Sequence, residues 1–418
     1  MRIRHFIQGT LVLLTVLTHS CAENDATLPN LDETKIYRSN ALKIVYCGEE
    51  MPGKLVEMIP GGENSDLSVT LKCQGSTDLG QLSSIGLSGY GAAPGVLPGS
   101  PVLELPVRLK QEKSGYTFSG KSSTADCSTF SYKGTLTADS LVMSIFDVEL
   151  TDKSMAGSVW KPVAFKQSGL IVESTPFYLV WEVNPALGLD VNLSELLKLI
   201  VTAPIIPTYH DTAYSSVSQL LYSSLQTVAF KENGNIIVRY YSSVGGATQL
   251  MTSQGNTLQY VVAGENMLKL YPNPTSLFGL WLVAQSNSAG IPDISFKSES
   301  DNNDSNEALK EALLPIVKDL VPFILQLTQQ GIPLQCSRTS DGMDLFLNTQ
   351  TVLTIMNQVA TIVAAHPETL EKLSQLLTGN EELGEIASKL LEVLPQLQPI
   401  LENTTRFEVG LQFQPYNS

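Results

Sequence analysis

Along residues 225–242, LQTVAFKENGNIIVRYYS, apolar and polar positions alternate on both sides of an Asn-Gly pair. Asn-Gly between two alternating runs predicts a β-hairpin. The faces then select the loop. A two-residue loop sets Phe230 against Ile237 and Val228 against Arg239. A three-residue loop, Glu232-Asn233-Gly234, sets Phe230 against Ile236 and Val228 against Val238. Only the second gathers Val228, Phe230, Ile236, Val238 and Tyr240 on one face, with Thr227, Lys231 and Arg239 on the other. Gly234 then takes the left-handed position, which costs least without a Cβ. The same reasoning on 257–263 and 267–271 pairs Val262 with Leu268 and Tyr260 with Leu270.

Upstream, short runs at 42–48, 54–59, 67–72, 103–110, 116–121, 129–136 and 141–150 read as strands separated by turn residues. Pro106 cannot donate to a ladder, so its strand belongs at an edge or bulge. Cys73 closes the alternation of Leu67, Val69 and Leu71 and points inward, as a small buried hydrophobe or as half of a bridge. Residues 86–101 form a Gly/Pro-rich loop. The even strand spacing predicts an antiparallel barrel or sandwich over 41–152, followed by a connector over 153–173.

From 174 to 418 the period switches repeatedly. Residues 177–183 predict a strand bearing Trp181, and 277–284 another. Helical spacing marks helices near 192–202, 211–228, 307–330, 351–365 and 381–401. Pro315 and Pro322 kink or break the third of these, and Lys310, Glu311, Lys318 and Asp319 within it exclude a bilayer span. Residues 296–306 are a solvated linker by composition. Phe407, Val409, Leu411 and Phe413 share one face of a closing strand. The fold class is therefore α+β: an N-terminal antiparallel barrel or sandwich, then an antiparallel sheet or barrel with a helical insertion.

Composition adds compartment and charge. Residues 1–20 carry Arg2 and Arg4, an apolar run from Leu11 to Leu17, then small or polar residues before Cys21, the three parts of a secretory signal. Ser20-Cys21 resembles a lipoprotein cleavage box, although Leu17 lies one position further back than usual. Cleavage after Ala22 with soluble export is the alternative. A polar tether over 21–40 favours acylation of Cys21. The chain has 41 Asp+Glu against 26 Lys+Arg, a net charge of −15. That sign disfavours nucleic acid and electrostatic adhesion to anionic lipid.

The runs LKIVYCGEEMPGKLVEMIPG, GYTFSG and FSYKGTLTADSL resemble the calycin-like β-domain of Bacteroides lipoproteins, and Trp181 on its strand resembles the tryptophan of lipocalin-like domains. The whole chain is similar to an uncharacterised Bacteroides lipoprotein family of about this length. The resemblance implies a calycin-like first domain, a lipocalin-like second one and an outer-membrane location, on the periplasmic face or the cell surface. It implies no catalytic residue.

Catalytic signatures are missing. Beyond the leader the histidines are His210 and His366. The first sits beside Asp211 at a helix start, and the second, before Pro367, suits a helix C-terminal cation. Asp301-Asn302-Asn303-Asp304 lacks the glycine and final glutamate of a calcium loop. Cys47, Cys73, Cys127 and Cys336 show no C-x-x-C spacing and allow three disulfide pairings. No cofactor or metal is expected. The expected function is non-catalytic binding of a small apolar or sugar-like ligand, with Tyr240, Tyr260 and Trp281 as ligand candidates beside Tyr241 and Tyr271. The alternatives are docking of an envelope protein on the apolar helices and, third, an unrecognised hydrolase. The lipid anchor is directly testable. Cys21→Ala is expected to abolish palmitate labelling and membrane association; membrane retention of that variant, or a mature N-terminus at Glu23, would contradict it.

Overall fold

The computed structural model describes residues 28–61, 67–76, 93–124, 128–168, 171–188, 191–204, 206–207, 214–244, 247–277, 319, 322–323, 325–365, 393 and 396–416. It is mostly antiparallel β-sheet with few helices, and its largest sheet curls into a half-barrel.

The first ten strands build two sheets. β1 (Lys35–Arg38), β4 (Lys54–Pro60), β5 (Ser68–Gly75) and β6 (Val102–Arg108) form one, in the order β1-β4-β5-β6. β2 (Leu42–Tyr46), β3 (Glu49–Glu50), β7 (Lys110–Glu112), β8 (Gly115–Ser123), β9 (Ser128–Leu136) and β10 (Leu141–Leu150) form the other, in the order β3-β2-β10-β9-β8-β7. Within it β2 and β10 run parallel. Strict alternation explains the packing: every second residue of β5 and β6 is buried. Tyr37, Val56, Met58, Leu71 and Leu105 meet Ile44, Phe118, Phe130, Leu136, Met143 and Ile145 in one core. Pro106 lies on the edge strand β6, where its missing N–H costs nothing. Two expectations change here. The tether ends earlier than 40, because Tyr37 is fully buried and β1 pairs with β4. The run 103–110 is not one strand: at Leu109 the chain passes from the first sheet into the second.

The remaining sheet has ten strands. β11 (Val159–Pro162), β14 (Phe177–Val183), β17 (Leu225–Phe230), β18 (Ile236–Val244), β19 (Ala247–Thr252), β20 (Leu258–Gly264), β21 (Met267–Pro272), β22 (Ile332–Arg338), β23 (Met343–Leu347) and β24 (Thr404–Pro415) follow the order β19-β18-β17-β11-β24-β23-β22-β21-β20, with β14 also on β24. β12 (Lys166–Ser168) pairs with β13 (Ile171–Ser174), and β15 (Ile206–Pro207) with β16 (Tyr214–Ser215). The closing strand β24 bonds β23 on one edge, and β14 then β11 on the other. The segment 153–173 is thus more than a connector: β11 stitches β17 to β24, and Trp160 is buried. The curl brings β20, at one end of the sheet, to the start of β18 at the bridge between Asn235 and Gln259.

Among the described residues four α-helices with defined bounds accompany the sheet: α1 (Leu193–Thr202), α2 (Val217–Ser224), α3 (Thr349–Ala365) and α4 (Leu397–Glu402). Asn192 caps α1 through the Glu195 amide, and Ser194 both accepts from the Trp181 amide and donates to the Trp181 carbonyl. Trp181 stacks on Phe407, centroids 4.1 Å apart, and Leu193, Leu196, Val352, Ile400 and Leu401 pack around that pair. The helix expected near 211–228 is cut to α2. Its cap is Ser216 rather than Asp211, and 225–230 is drawn into the sheet as β17. The expected strand at 277–284 lies outside the described residues except Leu277, which is helical together with 274–276. Most of 307–330 and 381–401 also lies outside them.

Both hairpins take the expected register: Phe230 opposes Ile236, Val228 opposes Val238, Val262 opposes Leu268 and Tyr260 opposes Leu270. Thr227, expected to meet solvent, is buried although it keeps its expected partner Arg239. Gly234 sits at φ +80°, and a Cβ there would meet Pro98, the Tyr260 carbonyl and Leu150 at 3.0–3.3 Å. Gly234→Val is therefore expected to destabilise the protein by at least ~1–2 kcal/mol. A urea midpoint matching the parent would contradict this turn geometry.

Candidate functional site

The site stands where helices cover the half-barrel. β21 and β22 are neighbours, with Lys269 opposite Pro333. Residues 325–330 are helical and lead through Gly331 into β22. Gly331 has φ +84°, and a Cβ on it would strike the Tyr271 ring at 2.5 Å, so the helix can be set against the sheet here only without a side chain. After β23, the Asn348 carboxamide accepts from the Thr351 amide and caps α3, while the Thr349 hydroxyl accepts from the Phe407 amide of β24. The second of these bonds anchors the start of α3 to β24.

Between these elements lies a cavity of about 290 Å³. Leu327, Pro333 and Ile355 give it apolar walls, all half-buried. Gln330, Gln350 and Thr354 stand exposed at its rim, and Lys269 and Thr351 are half-buried beside them. The Thr354 hydroxyl donates back to the Gln350 carbonyl. The Gln330 and Gln350 carboxamides and the Lys269 ammonium make no hydrogen bond or ion pair among the described residues. An apolar floor with several free polar groups is the usual make-up of a small-molecule site, and the volume lies at the small end of the ~300–1,000 Å³ range.

The residues singled out from sequence fall elsewhere. Tyr260 is fully buried, its ring edge-on to Phe230 at 5.0 Å and its hydroxyl donated to the Lys231 carbonyl. It is a core residue. Tyr240 is half-buried opposite Leu225 and Met251, Tyr241 is exposed, and Tyr271 is buried. Cys21, Cys127, His210, Trp281, His366 and the segment 301–304 lie outside the described residues. Cys47, Cys73 and Cys336 are free thiols. Burial pushes all three thiols up, Cys73 to about 12, which keeps them protonated. The cavity residues do not stand out in the sequence because they come from three separate segments. The one local signal was Gln350, Thr351 and Thr354, polar positions opening an otherwise apolar helix.

Among the described residues no group of three or more His, Cys, Asp or Glu side chains is placed to hold a metal, and no helix is long and apolar enough to cross a membrane. Compared with family models, curated proteins and solved structures, the chain matches none.

The most perturbed base is Lys54. Burial lowers it to about 7 from an ordinary 10.5. Its ammonium donates to the Pro94 carbonyl at 2.6 Å and the Gly95 carbonyl at 3.1 Å, clamping residues 93–95 over β4 and β5. That makes it a strut sealed from solvent rather than an accessible nucleophile. Its folded value lies below its unfolded one, so the unfolded chain binds the extra proton between about pH 7 and 10 and stability should rise with pH there. Lys54→Met is expected to remove that rise. Urea midpoints of parent and variant at pH 7 and pH 9.5 check it, and equal pH slopes would contradict the shift.

Proposed function

We propose that this chain is an exported, lipid-anchored binding protein that captures a small sugar-like ligand in the helix–sheet cavity and leaves it chemically unchanged. One observation carries the reading: a cavity with an apolar floor, and at its rim carboxamide and ammonium groups without partners among the described residues beside threonine hydroxyls. A sugar presents C–H faces and a ring of hydroxyls, and this lining complements both. A purely apolar ligand would engage the floor alone and leave the exposed rim groups to water, gaining nothing from them. That asymmetry favours the sugar-like half of the expectation. Export and acylation rest on residues 1–21, and a calycin-like reading of the first domain is supported by its two mostly antiparallel sheets around one core.

Thr354 is exposed at the mouth, so Thr354→Trp should close the cavity while changing stability by no more than about 0.5 kcal/mol. In a melting screen of neutral mono- and disaccharides, at least one is expected to raise the Tm of the parent and not of Thr354→Trp. No shift with any saccharide, or equal shifts in parent and variant, would overturn the assignment.

A further inference from the structure

A second site is carried by the outer face of the six-stranded sheet. We propose that it binds a short acidic saccharide, with Arg108 and Lys133 taking the acid group. The register builds it from strands distant in sequence. Across one row Lys110 opposes Thr117, Thr117 opposes Thr135, and Thr135 opposes Val142. Two residues along, Ser119 opposes Lys133 and Lys133 opposes Ser144. An offset of two keeps both rows on the same face, and the residues between them, Phe118 and Met143, point into the core. Arg108 ends β6 at the corner where the chain changes sheets and borders the same groove, which encloses about 510 Å³.

Charge and chemistry narrow the occupant. Arg108 and Lys133 form no ion pair among the described residues, while Lys110 is 3.1 Å from Glu112, both exposed, a pair of little strength. The Lys133 ammonium lies 5.4 Å from the Phe146 ring centroid, which leaves its donors free for a ligand. These cations stand in a chain of net charge −15. The overall field repels a long polyanion but is screened within about a Debye length of ~8–10 Å, so a ligand with one or a few acid groups is the class that gains. Four hydroxyls, on Thr117, Ser119, Thr135 and Ser144, and the exposed apolar Val142 supply what a sugar ring needs beside its carboxylate or sulfate. An acidic peptide has no matching set of hydroxyls.

The site is separate from the helix–sheet cavity, so its test does not depend on that reading. The full chain is titrated calorimetrically with a galacturonic acid trimer, a neutral galactose trimer, a glutamate trimer and inorganic sulfate. The acidic trisaccharide is expected to bind at least about tenfold more tightly than the other three. Arg108→Gln and Lys133→Gln, both at exposed positions, are each expected to weaken it about tenfold, and Thr354→Trp is expected to leave it unchanged. The proposal is overturned by absence of binding, by parent-like affinity in both glutamine variants, or by equal affinity for the neutral sugar. Equal binding of the peptide or of sulfate would overturn the saccharide assignment.

Discussion

The two sheet systems are joined by the tip of one hairpin, and the arrangement depends on how that tip's backbone is satisfied. β2 turns into β3 through Cys47 and Gly48, at φ +51° and +94°, leaving carbonyls directed at the half-barrel. The buried carboxamide of Asn256 donates to the carbonyls of Tyr46, Glu49 and Glu50 at 3.0–3.4 Å, and the Asn256 amide donates to the Asn235 carboxamide. The Glu49 carboxylate accepts from the Gly255 amide at 2.6 Å, and Tyr46 donates to the Asn233 carbonyl at 2.7 Å. A buried backbone group left unpaired costs about as much as a lost hydrogen bond, so each sheet system completes the other. Gly255 fits because a Cβ there would stand 2.9 Å from the Glu49 carboxylate. The turn that carries Gly234 and the bridge between Asn235 and Gln259 belong to the same seam, so the closure of the half-barrel and its attachment to the sandwich share residues.

Buried tyrosines repeat this logic. Tyr37, Tyr46 and Tyr260 each bury the ring and donate the hydroxyl to a turn carbonyl, of Thr137, Asn233 and Lys231 respectively. A tyrosine is apolar along its ring and polar at its tip, so it can fill a core and still tie down a loop. Tyr260 therefore reads identically from sequence whether its hydroxyl meets a ligand or a backbone oxygen.

Much of the sheet was legible because period-two alternation fixes register as well as face. Phe230 opposite Ile236 and Val262 opposite Leu268 followed from which residues had to share a side. What was not legible has a common cause. β1 and β11 each span four residues, too short for alternation to stand out, and only the strands beside them show that Tyr37 and Trp160 point inward. Residues 225–230 carried helical spacing through Leu225 and hairpin alternation through Phe230, and the tertiary ladder with β11 and β18 decided between them. Both proposed binding regions were invisible for the same reason. Lys110, Thr117, Thr135 and Ser144 become neighbours only through register, and Lys269 meets Thr351 only when a helix is set on the sheet.

The distribution of perturbed groups bears on binding against catalysis. Tyr37, Tyr46, Lys54, Cys73 and Tyr260 are shifted chiefly by desolvation, which in every case favours the neutral form. Catalysis needs such a group within reach of a substrate. Here all five are buried, and Tyr37, Tyr46, Lys54 and Tyr260 direct their polar atoms at backbone carbonyls, where they hold loops in place. None of the five lines the helix–sheet cavity or the groove on the six-stranded sheet. Those two regions are furnished instead with hydroxyls, carboxamides and surface cations. Such groups suit the proposed capture of a hydroxyl-rich ligand, which works by shape and hydrogen bonding and needs no shifted proton affinity.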